Sequence, residues 1–146
     1  MLILDQEYGI GQLSGIAEKL SEYVKSHDLF TFEGELGAGK TTLVKALCAC
    51  LGVRDKVSSP TYSLVNQYQA SHHGDHFPVY HIDLYRLDSE EEAFHAGINE
   101  ILSSKGLCLV EWPQRLPEII NGRRLEIHLT ATEGGLRRIR VYSREN

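Results

Sequence analysis

Residues 34–42 read Gly-Glu-Leu-Gly-Ala-Gly-Lys-Thr-Thr, matching G-x-x-x-x-G-K-S/T, the turn that wraps nucleotide phosphates with backbone N–H groups. Its glycines permit torsions closed to other residues and let amides approach phosphate with no Cβ in the way. Gly37 and Gly39, with Ala38 between them, stand where most of this is done. In such a loop Lys40 reaches the β- and γ-phosphates, where charge builds as the terminal bond breaks. Thr41 supplies a hydroxyl ligand for Mg²⁺, and Thr42, next along, is in reach of the α-phosphate. The chemistry these residues suit is the binding and splitting of a nucleoside triphosphate with Mg²⁺.

Mg²⁺ prefers octahedral oxygen ligation with several retained waters, so one or two carboxylates complete a site, and strand ends place them accurately. Two apolar runs end on acids: residues 78–83 (Pro-Val-Tyr-His-Ile-Asp) on Asp83 and residues 106–111 (Gly-Leu-Cys-Leu-Val-Glu) on Glu111. A Walker-B acid ends a strand beside the loop strand, but strand order is not written in composition, so the two roles stay open between these residues. Ser58-Ser59-Pro60-Thr61-Tyr62-Ser63 lies where a loop sensing the γ-phosphate belongs, with Thr61 placed to bind Mg²⁺ or orient water. A proline turn before a strand accounts for the same six residues on composition alone.

The elements around these residues have the required order of strand, loop and helix. Residues 29–33 (Leu-Phe-Thr-Phe-Glu) are of strand type, and residues 43–51 are a helix former closed by Gly52. Before them the pattern predicts a short edge strand over residues 1–4 and a helix over residues 10–25, with Ile10, Leu13, Ala17, Leu20 and Val24 on one stripe. After them it predicts a strand over residues 62–68 and a short acidic helix capped by Asp88 with Glu91 as its capping-box partner. Gly97 breaks that helix before it resumes over residues 98–104. Residues 124–131 and 136–143 around Glu133-Gly134-Gly135 form a β-hairpin. These elements predict an α/β fold of P-loop NTPase type: a three-layer sandwich with a mixed central sheet and a C-terminal β-hairpin.

At 146 residues and 42% hydrophobic, the chain fits one domain spanning residues 1–146. A net charge of −5 argues against nucleic-acid binding through a broadly basic surface, which works by neutralising many phosphates. No apolar run approaches the roughly 18 residues of a membrane span, and no secretory leader pattern is present, so a cytoplasmic location is expected. Cys48 and Cys50 lie two apart in the predicted helix and point to different faces. With Cys108 they read as buried free thiols rather than a metal or redox pair. His72, His73 and His76 beside Asp75 have spacing that a metal tolerates, yet a polar surface turn between two strand-like runs explains them more simply.

Four segments together resemble one family: Gly-Glu-Leu-Gly-Ala-Gly-Lys-Thr-Thr at 34–42, Ser-Pro-Thr-Tyr-Ser-Leu-Val at 59–65, Tyr-His-Ile-Asp-Leu-Tyr-Arg-Leu at 80–87 and Leu-Val-Glu-Trp-Pro at 109–113. The first is common to many NTPases, whereas the other three in combination are specific to the TsaE family, small bacterial P-loop ATPases of tRNA threonylcarbamoyladenosine synthesis. The resemblance implies that Glu111 binds Mg²⁺ alongside Thr41. It makes Asp83 the Walker-B-like acid near the γ-phosphate and the attacking water, with residues 59–62 as a switch-like loop and Trp112 beside the nucleotide. It further implies the protein partners TsaB and TsaD, modification of adenosine 37 in tRNAs reading codons that begin with A, and ATP hydrolysis that supports turnover. Direct contact with tRNA is left open by it. The residues that meet the adenine base are not assigned.

A GTPase would carry Asn-Lys-x-Asp and Asp-x-x-Gly segments, and the chain has neither. A small-molecule P-loop kinase is the stronger rival, because such enzymes close mobile arginines over the phosphates. Arg123, Arg124, Arg137, Arg138 and Arg140 lie in or near the hairpin, but their spread over both strand faces suits solvated sheet positions or a contact patch for tRNA or a protein. A non-enzymatic chain, with nucleotide fixing a docking surface, uses many of the same groups.

Overall fold

The computed structural model describes residues 1–60 and 64–146, which lay one seven-stranded sheet between two layers of helix. In chain order the elements are β1 (Leu2–Tyr8), α1 (Leu13–Ser21), β2 (Leu29–Glu33), α2 (Lys40–Cys50), β3 (Val65–His72) and β4 (Asp75–Asp83). There follow α3 (Glu90–His95), α4 (Ile98–Ser103), β5 (Leu107–Glu111), β6 (Arg124–Ala131) and β7 (Arg137–Arg144). The strand order is β1-β7-β6-β2-β5-β4-β3. Strands β6, β2, β5 and β4 run parallel at the centre, and antiparallel β7, β1 and β3 extend the two edges.

Burial on both faces explains why the central strands read as unbroken apolar runs. Phe30 and Phe32 of β2, with Leu107 and Leu109 of β5, pack under α1 and α2 against Ile16, Leu20, Leu43 and Leu47. Leu29, Cys108 and Val110 point the other way, joining Ile82, Ala93 and Ile98 beneath α3 and α4. Phe30 and Phe32 are fully buried, each worth about 1.5–3 kcal/mol in apolar burial. Cys48 and Cys108 are free and buried as expected, and burial pushes both thiols up to about 12, whereas free Cys50, on another face of α2, is only partly buried.

Several element limits differ from the sequence expectation, each for a physical reason. Strand β1 runs on to Tyr8 because β7 pairs it along its whole length, down to Tyr8 with Arg137. The first helix is confined to Leu13–Ser21, preceded by a 3-10 turn over Ile10–Gln12. It closes where the Tyr23 N–H turns back to the Leu20 carbonyl at 3.0 Å. Ser89, rather than Asp88, caps α3: its hydroxyl accepts from the Glu92 N–H, while the Glu92 carboxylate accepts from the Asp88 N–H. The histidine-rich stretch is less of a loop than expected, since β3 and β4 pair out to His72 and Asp75 and leave a turn of His73 and Gly74. The strand expected over residues 62–68 appears as Val65–His72, with residues 61–63 outside those described. Among the described residues no helix is long and apolar enough to cross a membrane.

Candidate nucleotide and metal site

Strand β2 ends at Glu33, and the chain reaches the helix start at Lys40 through a turn whose Gly37 and Gly39 have φ of 80° and 101°. Gly39, immediately before the helix, is left-handed, a conformation costly to a residue with a Cβ. Gly34 answers a different need: a Cβ there would stand 2.7 Å from the Leu129 carbonyl oxygen of β6. The helix therefore begins three residues before the sequence expectation. Its first N–H groups, those of Lys40, Thr41 and Thr42, lack intrahelical acceptors and carry the positive end of the helix dipole.

A cavity of about 300 Å³ opens over this helix start, lined by Gly37, Gly39, Lys40, Thr41, Thr42, Ser59, Asp83, Glu111, Trp112 and Arg137. A larger cavity of about 440 Å³ lies against Glu33, Glu35 and His128. It has no lysine and no helix N-terminus, so size does not locate the chemistry. Ala38 is buried under the loop and lines that larger cavity rather than the smaller one, so its side chain serves packing.

Strand order sets where the two acids stand relative to the loop strand. Glu111 ends β5, the direct parallel neighbour of β2, and Asp83 ends β4, one strand further out. The register sets Phe32 beside Glu111 and Glu111 beside Asp83, so all three strands deliver their ends at one level. Glu111 shares strand parity with Leu107 and Leu109, and Asp83 with Val79, so both carboxylates rise on the face covered by α2.

The Thr41 hydroxyl donates to Glu111, at 3.1 Å to Oε1 and 3.2 Å to Oε2, and lies 3.0 Å from Ser59 Oγ. Lys40 Nζ donates to the carbonyls of Gly34 and Glu35 and sits 4.0 Å above the Trp112 ring. Burial holds the Lys40 ammonium below its ordinary range against the pull of Glu111, Asp83 and Glu35. Burial also raises the Asp83 carboxyl, partly opposed by the hydrogen bond it accepts from the Tyr85 N–H at 2.9 Å, and nearby Glu111 adds to the rise. A carboxylate so raised is the more basic of its type. Trp112 follows Glu111 in a left-handed conformation, φ 60°, and packs its ring 4.7 Å from that of Tyr85. Thr61, the remaining expected catalytic residue, and Tyr62 lie outside the described residues.

Two residues of the site escaped the sequence reading. His81, fully buried, bonds Glu111 Oε2 through Nε2, while its Nδ1 is buried with no hydrogen-bond partner among the described residues. A buried polar atom left unpaired costs about 1–3 kcal/mol. Its position two residues before Asp83 in an apolar strand was the available signal, since period two puts it on the same face. Arg137 is the other: it donates from Nη2 to the Gly37 carbonyl at 3.1 Å. No local signal marks it, because the hairpin and its pairing with β1 bring it there. Arg138 and Arg140 instead pair with Asp5, Arg124 with Glu126, and Arg123 with Glu145.

A mixed sheet whose central parallel strand enters a glycine turn and helix, with acids at the ends of the adjacent strand and of the one beyond it, defines a P-loop NTPase-like α/β protein. The chain belongs to the TsaE family: the family described as "Threonylcarbamoyl adenosine biosynthesis protein TsaE" matches residues 10–139. The tRNA threonylcarbamoyladenosine biosynthesis protein TsaE of Bacillus subtilis (strain 168) is 36% identical over 116 residues, which cover 80% of this chain and 70% of that protein. Its counterpart of the same name in Treponema pallidum (strain Nichols) is 37% identical over 109 residues, 75% of this chain and 77% of that protein. The crystal structure of Bacillus subtilis YdiB matches with a TM-score of 0.73 at 30% identity, covering 98% of this chain and 87% of that one.

Proposed function

We propose that this chain is a cytoplasmic Mg²⁺-dependent ATPase that supports formation of threonylcarbamoyladenosine at position 37 of tRNAs reading codons that begin with A. It acts with TsaB and TsaD, which stimulate its turnover, and meets tRNA through that complex. The observation that carries the reading is the convergence of the Lys40 ammonium, the Thr41 hydroxyl and the Glu111 carboxylate at the N-terminus of α2. Family membership supplies the tRNA context.

The donor set fits the metal. A hydroxyl and a carboxylate already within hydrogen-bond distance of each other are hard oxygen ligands, and Mg²⁺ characteristically takes few protein ligands, filling its sphere with phosphate oxygens and water. When bound there, Mg²⁺ would offset the charge developing on the phosphate oxygens. The amides of the turn from Gly37 through Ala38 and Gly39, with those of Lys40, Thr41 and Thr42, hold the phosphates. Lys40 exchanges its carbonyl partners for phosphate oxygens. Asp83, raised by burial, orients the attacking water and accepts its proton, with Thr61 assisting from the switch-like loop. Trp112 walls the phosphate end of the cavity.

Arg137 over Gly37 gives the kinase reading its one foothold, since a cation above the loop also suits phosphoryl transfer to a small acceptor. Both are tested by measuring ATP and GTP hydrolysis by the purified chain alone and with TsaB, TsaD and tRNA, scoring released phosphate and modified adenosine. ATP-selective phosphate release stimulated by the partners is expected. Transfer to a small acceptor in their absence would replace the ATPase with a kinase.

A further inference from the structure

We infer that His81 is a positioning residue for the metal, holding the Glu111 carboxylate in the orientation that Mg²⁺ meets. The inference rests on the metal role proposed above for Thr41 and Glu111. His81 pairs in register with Leu109, two residues deeper in the sheet than Glu111. Its ring therefore reaches the carboxylate from within the sheet, while Thr41 approaches from the helix. Glu111 is an acceptor toward Thr41, so Nε2 of His81 is the donor. That assignment leaves Nδ1 buried without a partner among the described residues.

A histidine kept only for packing has no need of that arrangement. The same strand face carries Val79 below it and Leu109 beside it, and an aliphatic side chain would fill the position without stranding a nitrogen. What the imidazole adds is one directed N–H on Glu111 Oε2. A glutamate side chain turns about three bonds, and a donor fixed in the sheet restricts it before any ion arrives. When Thr41 and Glu111 both turn lone pairs toward an ion, their mutual hydrogen bond must open, whereas the bond from His81 persists. Partners that orient a metal ligand in this way typically alter metal affinity by about 10–100-fold.

The test compares the parent with His81→Leu, His81→Asn and His81→Gln. The Gln amide nitrogen reaches the place of Nε2, and the Asn amide stops one methylene short, near the place of Nδ1. ADP affinity is measured by calorimetry in EDTA and then across a Mg²⁺ titration. The expected result is ADP affinity in EDTA within about twofold of the parent for all variants, and a Mg²⁺ midpoint about tenfold or more higher in His81→Leu and His81→Asn. His81→Gln should stay within about threefold of the parent. A parent-like midpoint in His81→Leu overturns the inference, as does a midpoint in His81→Gln as poor as in His81→Asn, or an equal loss of affinity in EDTA. If His81→Leu does not fold, the Gln and Asn pair decides. Ring ¹⁵N shifts of the ligand-free parent give a second readout, with a proton on Nε2 expected and a bare Nε2 refuting the assignment. A parent in which Mg²⁺ leaves ADP binding unchanged removes the proposed metal site itself, while a Mg²⁺-responsive parent whose variants keep the parent midpoint removes only His81.

Discussion

Replacing Lys40 by Met should separate the two tasks of that side chain, because its ammonium is already engaged before any phosphate is present. In the ligand-free chain it donates to the Gly34 and Glu35 carbonyls and lies over the Trp112 ring. Hydrogen bonds from a charged donor are worth about 1.5–3 kcal/mol each, and the cation over the ring about 0.5–1 kcal/mol more. Two effects pull the net loss down: burial disfavours the charged ammonium, and neither Gly34 nor Glu35 is buried, so both carbonyls regain water. The expected loss of stability is about 1–2 kcal/mol, or about 4–8 °C in Tm for a chain of this size. The loss on the nucleotide side is larger, since truncating one member of a desolvated charge pair costs about 2–5 kcal/mol, about 30-fold to several thousand-fold in Kd. At ADP a hundredfold above the parent Kd, the parent gains about 2.7 kcal/mol, or roughly 11 °C, and a variant weakened 30-fold gains only about 0.9 kcal/mol. Thermal unfolding with and without ADP measures both numbers, and emission from Trp112, the single tryptophan, reports removal of the ammonium from its ring. An ADP-induced rise in Lys40→Met equal to the parent's would refute the assignment of Lys40 to the phosphates.

Gly34→Ala should lower stability by about 1–3 kcal/mol, because its Cβ meets the Leu129 carbonyl at 2.7 Å, whereas Gly15→Ala, with nothing within 4 Å, should not; denaturant melts compare the two. Asp83→Asn should cut steady-state ATP turnover about 100-fold or more while calorimetry finds ADP affinity within about threefold, and parent-like turnover would remove Asp83 from the mechanism. Arg137→Ala removes a cation that lines the cavity and should raise the ADP Kd about tenfold, the worth of one charge-assisted contact to phosphate, with little change in Tm without ligand, since the Gly37 carbonyl it releases is on an exposed residue. Burial tends to raise the Glu126 carboxyl, but Arg144 and Arg124 outweigh it and hold the group below its ordinary 4.5. Its contribution is therefore fully present above about pH 4.5 and lost as pH falls through the lowered folded value. Acid melts of Glu126→Gln should lack that part of the decline.

The parts of this molecule legible in its sequence are those fixed by local chemistry. Residues 34–42 announce the phosphate turn because only glycine tolerates the backbone of Gly39, and the apolar runs ending at Asp83 and Glu111 announce buried strands because helices cover both faces. What the sequence withheld depends on partners far along the chain. Glu111 lies nearer the loop strand than Asp83 because β5 inserts between β2 and β4, an order no run of residues encodes. Arg137 sits a hundred positions from the carbonyl it holds and looks like any other arginine of the hairpin until β6 pairs with β2 and β7 with β1. His81 was closer to reach, since its parity with Asp83 follows from strand periodicity alone. The capping of α3 turned on a choice between adjacent residues, and the hydroxyl of Ser89 took it.

The charges of the site imply a coupling between its two proposed ligands. Lys40 lies in the fields of Glu111, Asp83 and Glu35, so in the ligand-free chain one ammonium faces three acids. Asp83 and Glu111 are register partners on adjacent strands, about 4.8 Å apart at the backbone, and the presence of Glu111 helps to raise Asp83. On the proposed reading, a triphosphate engages Lys40 and adds negative charge of its own, leaving both carboxylates less compensated than before. A divalent cation held by Thr41 and Glu111 restores the balance. Without the nucleotide, the same ion would find one hydroxyl, one carboxylate and the neighbouring ammonium, a poor site. Each ligand thus improves the site for the other, and by linkage the factor by which Mg²⁺ tightens nucleotide binding must equal the factor by which nucleotide tightens Mg²⁺ binding.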